Sequence, residues 1–210
     1  PDHVGCYGYP LPTTPNIDRL AQAGARFANA AAQASWTNPS ITSLLTSLPP
    51  DEAAPAQLSL DPPLAAADLL TALQDAGYTT AVVSAHQAIA AGLGFARGAT
   101  HFIKTQQTAD AAAQRAEAWL EKHRRQNLFL YVHCYDPHED YFPPDSYRRR
   151  FLKERTSSNP AVLRGDPLFS HEAGAAAWPT VTASDLDYLK ALYDADIAYA
   201  DNCVGRIWTK

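Results

Sequence analysis

Apolar residues recur at two spacings along the 210-residue chain, and the two spacings alternate. Helical spacing, with apolar residues three or four positions apart, covers 15–23, 39–46, 64–76, 108–125 and 184–208. Continuous or alternating apolar runs that predict strands cover 26–30, 79–84 and 128–133. This order predicts an α/β fold with a mostly parallel sheet flanked by helices, and the run 128–133 is typical of a buried parallel strand.

Local signals mark several ends of these elements. Thr14 is a suitable cap for the first helix, and Ser184 for the last. The stretch 145–182 mixes Pro, Gly and Ser with charges, which predicts an irregular surface excursion and not a domain boundary. We therefore interpret residues 1–210 as one domain.

Composition excludes several classes of protein. With 46% hydrophobic and 19% charged residues, the chain can bury a core. Its net charge is -5, and its sequence has no basic stripe of the kind found in nucleic-acid-binding proteins. No apolar run approaches the roughly 20 residues that span a bilayer. Cys6, Cys134 and Cys203 are far apart and odd in number, which predicts buried thiols and not a zinc cluster or a disulfide framework.

Thr37 stands just before the predicted helix 39–46. The backbone N–H groups and the dipole at a helix N-terminus favour an anion, so this place suits a nucleophile that attacks a sulfate or phosphate ester. Thr is also a common helix cap, and capping alone would account for it. The local sequence leaves both interpretations open.

Three ordered segments within the first forty residues resemble the sulfatase family of the alkaline phosphatase superfamily: DHVGCYGY at 2–9, TPNIDRL at 14–20 and QASWTNPS at 33–40. The resemblance continues at 77–81, 131–138 and 192–199, so it extends over essentially the whole chain. It implies the N-terminal part of an alkaline phosphatase-like catalytic domain, incomplete at both ends, that hydrolyses sulfate or phosphate esters.

In this family the nucleophile motif is Cys or Ser, any residue, Pro, Ser and Arg, and the Cys or Ser is oxidised to formylglycine. Here Thr37 holds the nucleophile position and Ile41 replaces the Arg. Because a threonine cannot give the formylglycine aldehyde, no formylglycine is expected. The resemblance then implies that the Thr37 side chain attacks directly and contacts the metal, as in the phosphatase-like relatives.

Three histidines are candidate substrate contacts. Asp136-Pro137-His138 resembles a family turn in which the His contacts the sulfate or phosphate, although Asp136 holding a purely structural His138 is the alternative. His133 ends a predicted strand on the side where ligands bind in α/β sheets, and is a weaker candidate. His86 is also weak, because the family's Lys and His pattern is absent around it.

Other charged residues are interpreted as structural. The resemblance implies that Asp2 and His3 belong to a loop beneath the site. Asp194, Asp196 and Asp201 lie two and five positions apart, which scatters them around a helix and predicts a solvated or salt-bridged face.

The family's other metal ligands precede Asp2 and follow Lys210 in the resemblance, so we expect them outside this sequence, with Thr37 as the metal ligand inside it. Calcium, magnesium, manganese and zinc all stay open. The sequence contains no methionine, which predicts a fragment or a processed chain. Its compartment is left open, because a signal or anchor would precede Pro1.

Three hypotheses follow. The first is a metal-dependent hydrolase of sulfate or phosphate esters that is inactive as the isolated chain. The second is a catalytically dead relative that serves as a binding or interaction module, which the substitutions at Thr37 and Ile41 favour. The third, a phosphotransferase acting on membrane head groups, requires membrane segments that this sequence does not contain.

Overall fold

The computed structural model describes residues 2–53, 68–87, 89–91, 94–166 and 181–210. The chain forms two compact units. The helical unit consists of Pro1–Arg26 with Asp136–Thr209, and the sheet unit consists of Phe27–Tyr135, to which Lys210 is also assigned.

Helices and strands are interspersed along the described residues, but they do not alternate strictly as predicted. In this part of the chain, four α-helices precede the first strand, and the first two strands follow each other with no helix between them. The α-helices in chain order are α1 (Pro15–Ala23), α2 (Thr37–Thr46), α3 (Pro50–Ala53), α4 (Leu69–Asp75), α5 (Ala109–His123), α6 (Asp145–Leu152), α7 (Pro160–Leu163) and α8 (Ala183–Trp208). The strands are β1 (Thr79–Ser84), β2 (His101–Lys104) and β3 (Leu128–His133). A short 3-10 helix, Gly5–Tyr7, precedes α1.

The sheet is parallel and has the strand order β2-β1-β3. Val82 of the central strand pairs in register with Phe102 on one side and Tyr131 on the other. The β1 residues after Thr79 are buried, and Val82 packs in a core cluster with Leu45 of α2 and Leu70 of α4. The predicted parallel sheet and the strands at 79–84 and 128–133 are confirmed.

The burial predicted for β3 is wrong. All six of its residues are half-buried, and among the described residues it pairs with β1 alone. A continuous apolar run therefore identified a strand correctly but did not determine whether neighbours cover both of its sides.

Two predictions of irregular or extended structure also differ from the structure. Residues 26–30 form no strand, because they are exposed and have no neighbouring strand in the described sheet. The excursion at 145–182 contains α6 and α7, since its apolar residues Phe151 and Val162 are buried against α8. Residues 167–180 of that excursion, and 64–67 of the predicted helix 64–76, lie outside the described residues.

Both predicted helix caps are wrong, although the helices themselves are confirmed. The Thr14 hydroxyl accepts a hydrogen bond from the Gly5 N–H at 2.8 Å and donates to Asp18, and it does not cap α1. Helix α8 begins with a capping box made by Thr182 and Asp185, while Ser184 donates to the Thr156 carbonyl.

Helix α8 is the central element of the helical unit. Helices α6 and α7 pack on it through two apolar clusters, one with Phe151 against Ala195 and one with Val162 against Leu192. At the close approach of α8 to α1, a Cβ added to Gly205 would lie 2.4 Å from the Asn16 side chain. More than one side of α8 is therefore covered.

The predicted solvated face of α8 is wrong, whereas the salt-bridged alternative is met at Asp194, which contacts His3. Asp194, Asp196 and Asp201 are 3%, 1% and 1% exposed. Asp194 accepts hydrogen bonds from Tyr9 at 2.8 Å and contacts the His3 ring nitrogen at 2.6 Å. Their positions around the helix do not keep them in water, because α1, α6 and α7 pack around α8.

Two expectations from composition can be compared with the structure. Cys203 is buried as predicted, whereas Cys6 and Cys134 are half-buried, and all three are free thiols. Among the described residues, no helix combines the length and the apolar character that a membrane span requires.

Candidate active site

Thr37 is the first residue of α2, and Trp36 occupies the cap position without a side-chain hydrogen bond. Thr37 therefore does not cap this helix. Its side chain is half-buried, and no hydrogen bond joins its hydroxyl to another described residue. Ile41 and Leu45, one and two turns further on, pack against the core of the sheet unit and fix the helix. The hydroxyl thus stands uncommitted at a helix N-terminus, where an anion is favoured.

The sheet brings together the two weaker candidates, His86 and His133. His86 follows β1 and His133 ends β3. The two residues come close together because parallel strands present their carboxyl ends at the same edge of the sheet. Their ring centroids are 5.5 Å apart in an edge-on arrangement. The Tyr135 ring stacks on His86 at 5.3 Å.

Lys104 joins this group from the end of β2. Its Nζ donates to the His86 carbonyl and lies 3.4 Å from the Ile89 carbonyl. Burial lowers its pKa from the ordinary lysine value. The sequence analysis missed Lys104 because β2 is only four residues long and gave no strand signal; a lysine followed by a polar segment was the one hint available.

The environment of His133 keeps its ring neutral. Burial, followed by the neighbouring His86 and Lys104, lowers the pKa of His133 to about 4. The Tyr131 hydroxyl lies 2.9 Å from Nδ1 of His133, and burial raises the pKa of Tyr131 to about 12, so the phenol keeps its proton. A phenol that donates to Nδ1 leaves the imidazole proton on Nε2, where it can donate to an anion.

His138 belongs to the helical unit and lies in the turn between β3 and α6. Its Nδ1 is 2.9 Å from the Glu139 carbonyl oxygen and 3.3 Å from Oε2 of the same residue. A proton held on Nδ1 by these two oxygens leaves Nε2 as the acceptor or, in the imidazolium form, as a donor. The ring is exposed.

The described residues do not form a complete metal site. None of their His, Cys, Asp and Glu side chains are grouped in threes or more in a way that could hold an ion. A hard divalent cation takes six or more oxygen ligands, and a single Thr37 hydroxyl does not meet that need. The role of Thr37 as a metal ligand stays a prediction.

Solved structures share this fold. A structure in complex with its substrate D-glucosamine-2-N,6-O-disulfate has a TM-score of 0.71 and 16% identity over 99% of this chain and 59% of that chain. The C-terminal periplasmic domain of Escherichia coli EcEptC, in complex with Zn, has a TM-score of 0.68 and 20% identity over 99% of this chain and 55% of that chain. A Vibrio parahaemolyticus protein of the alkaline phosphatase superfamily has a TM-score of 0.64 and 16% identity over 99% of this chain and 46% of that chain. The chain thus has an alkaline phosphatase-like fold and spans about half the length of these structures.

The sulfatase family model matches residues 1–210, and the chain belongs to the sulfatase family. An N-acetylgalactosamine-6-O-sulfatase of Bacteroides thetaiotaomicron is 38% identical over 85 residues, which are 38% of this chain and 17% of that protein. Human arylsulfatase A is 49% identical over 43 residues, which are 20% of this chain and 8% of that protein.

Proposed function

We propose that the full-length protein hydrolyses sulfate or phosphate esters with Thr37 as its nucleophile and a divalent metal as its cofactor. Members of the sulfatase family are sulfuric ester hydrolases, and the family match extends over the whole chain. The observation that carries the proposal is the Thr37 hydroxyl at the start of α2, which makes no hydrogen bond to a described residue. The sequence resemblance aligns Thr37 with the family nucleophile.

The reaction divides into two displacements. In the first, Thr37 Oγ1 loses its proton and forms a bond to sulfur or phosphorus, while the bond from that atom to the ester oxygen breaks and the alcohol departs with a proton. In the second, water attacks the same sulfur or phosphorus and gives up a proton, the bond from that atom to Thr37 Oγ1 breaks, free sulfate or phosphate leaves, and Oγ1 takes up a proton to regenerate the hydroxyl. A side-chain hydroxyl suffices for this route, so it needs no formylglycine.

The residues at the carboxyl ends of the strands supply the anion contacts in this proposal. Lys104 contributes a positive charge, and neutral His133 can donate through Nε2. His86 contacts both of them, His133 through its ring and Lys104 through its carbonyl oxygen. His138 is proposed to contact the sulfate or phosphate and to donate a proton to the departing alcohol.

The metal part of the proposal concerns the full-length protein. The 210 residues by themselves are proposed to be inactive, because their described part holds no group of three ligands. A site rich in hard oxygen ligands would favour calcium, magnesium or manganese, and additional histidines would favour zinc. Chelation of the full-length protein followed by addition of single cations tests this part.

A catalytically dead binding or interaction module is the second candidate. Thr37 and Ile41 stand where the family motif has Cys or Ser and Arg, and these substitutions favour it. The two candidates differ in metal binding, since a dead module has no need of the cation. Absence of binding at micromolar metal, together with no turnover, would support the module.

The experiment compares matched aryl sulfate and aryl phosphate esters with the full-length protein, each divalent cation being added in turn. The substrate panel also includes two sugar sulfates. N-acetylgalactosamine-6-O-sulfate corresponds to the Bacteroides thetaiotaomicron sulfatase, and D-glucosamine-2-N,6-O-disulfate is the substrate bound in one of the similar structures. Thr37→Ala should lower kcat by about 10³-fold or more, and Thr37→Ser should retain turnover because it keeps the hydroxyl. Unchanged turnover in Thr37→Ala would overturn the proposed nucleophile.

A further inference from the structure

The turn that carries His138 is attached to α8 at both of its ends by one side chain. Asp196 shares a hydrogen bond with the side chain of Asp136, where the turn starts, and accepts one from the backbone N–H of Phe142, where it ends. Asp196 is 1% exposed, so water does not compete for these bonds. His138 lies between the two attached residues in the sequence.

A hydrogen bond between two carboxyl groups requires a proton on one of them, because ionised carboxylates only accept. The surroundings of Asp196 favour this proton. Its Oδ1 is buried without a partner among the described residues, an arrangement that is costly for an ionised oxygen. The nearby groups that act on its charge are Asp136 and, across the turn, Tyr141, and neither is a cation. Burial, followed by the charge of Asp136, raises the pKa of Asp196 to about 8.

Neighbouring contacts fix the far end of the same turn without a pair of carboxyl groups. The Tyr141 N–H donates to the Gly165 carbonyl at 2.8 Å, and the Tyr141 ring lies against Tyr193 of α8 with the centroids 5.2 Å apart. Asp196 is therefore the titratable part of an otherwise fixed attachment. Its state decides whether the start of the turn, next to His138, stays attached.

We propose that Asp196 is a positioning residue, whose protonated carboxyl holds Asp136 and Phe142 together and thereby fixes the turn that presents His138. The attachment itself is independent of the enzyme's reaction. Its consequence for catalysis rests on the proposed function, in which His138 contacts the substrate. When the shared proton is lost, two carboxylates face each other in a buried place, and the turn detaches from α8.

Hydrogen–deuterium exchange of the backbone in 134–144, corrected for the intrinsic effect of pH, tests the attachment in the full-length protein. In the wild type we expect protection to fall about tenfold or more between pH 7 and pH 10, since each pH unit above the pKa depletes the protonated pair about tenfold. Asp196→Asn keeps an N–H donor toward Asp136 in a side chain of similar size that does not ionise, so its protection should not change with pH across this range. Asp196→Ala should lose protection at both pH values.

Asp201→Asn is the matched control, because it also replaces a buried aspartate of α8 but one that contacts α1. It should leave the alkaline loss of protection in 134–144 unchanged. Protection in the wild type that is independent of pH, or an Asp196→Asn protein with the same alkaline loss as the wild type, would overturn the proposal.

The kinetic readout separates this proposal from the proposed function. With a sulfate or phosphate ester, kcat/KM of the wild type should fall above about pH 8, and Asp196→Asn should lack that limb of the profile. If no ester is turned over while the exchange behaves as expected, the attachment stands and the proposed function fails. If turnover occurs and the alkaline limb is identical in both proteins, the positioning role fails alone.

Discussion

The sheet unit and the helical unit use polar side chains in different ways. In the sheet unit the buried residues of β1 are mostly apolar, and His86, Lys104 and His133 gather at the strand ends with part of their surface open. In the helical unit, four aspartates are buried along α8, and each contacts residues distant in sequence. The sheet unit therefore offers polar groups to a ligand, whereas the helical unit uses them to fix its own structure.

Asp201→Ala should give the largest loss of stability, because it breaks the attachment of α1 to α8. Asp201 accepts hydrogen bonds from the Asn16 and Ile17 N–H groups, at 3.0 and 2.8 Å, and from the Asn16 side chain at 2.7 Å. Without Asp201, these backbone N–H groups at the start of α1 would have no acceptor within the helix. We expect the free energy of unfolding to fall by about 3 kcal/mol in urea titration. A loss below about 1 kcal/mol would contradict this role.

Gly205→Ala tests the same contact by steric means. The new Cβ would lie 2.4 Å from Asn16, whose side chain is held by Asp201 and cannot move freely. We expect a destabilisation of about 1–3 kcal/mol, measured by thermal or urea unfolding. Gly8→Ala is a control for a glycine with open space around it, and there any cost should come from its positive φ of 102°.

Acid should destabilise the sheet unit through His133. Its pKa falls from 6.5 to about 4 on folding, so the unfolded chain binds a proton more readily than the folded protein does. The contribution of neutral His133 to the free energy of unfolding is complete above pH 6.5 and is lost as the pH falls toward 4. After allowance for partial solvation we expect about 1–2 kcal/mol. His133→Gln should flatten this part of the stability profile, and an unchanged profile would contradict the assignment.

Lys104→Met should have a smaller effect, confined to the sheet unit's ligand-facing group. Removing the ammonium takes away a charge that the proposed function directs at the ester anion, while the aliphatic stem is kept. We expect KM to rise about tenfold, with unfolding changed by less than about 1 kcal/mol. Lys122→Met, on the exposed end of α5, is the control and should leave KM unchanged. Equal KM values for both variants would remove Lys104 from the site.

Periodicity predicted the elements well where local packing decides them. The bounds of α1 and β1 match the prediction, and α5 begins one residue after the start predicted at Thr108, which caps it. Long-range partners explain the failures. Thr14 is not needed as a cap because Asp201, which lies 185 positions from Asn16, satisfies the first N–H groups of α1. No local pattern carries that information.

The candidate site was predictable only in part, because some of its residues depend on long-range contacts that no local pattern reveals. Strand-end position identified His133, and the resemblance to the family identified Thr37 and His138. Lys104 depended on recognising β2, a four-residue strand whose pairing with β1 is a tertiary fact. The burial of Asp196 depended on how many neighbours surround α8, which a helical period does not reveal.

The central claim is that Thr37 carries the reacting group during turnover. Rapid acid quenching of the full-length protein with an aryl sulfate or aryl phosphate, followed by peptide mass spectrometry, tests it most directly. The account predicts one sulfo or phospho group on the peptide that contains Thr37, and its absence from Thr37→Ala, which should also have lost turnover. A group found on another residue, or turnover that persists in Thr37→Ala, would contradict it.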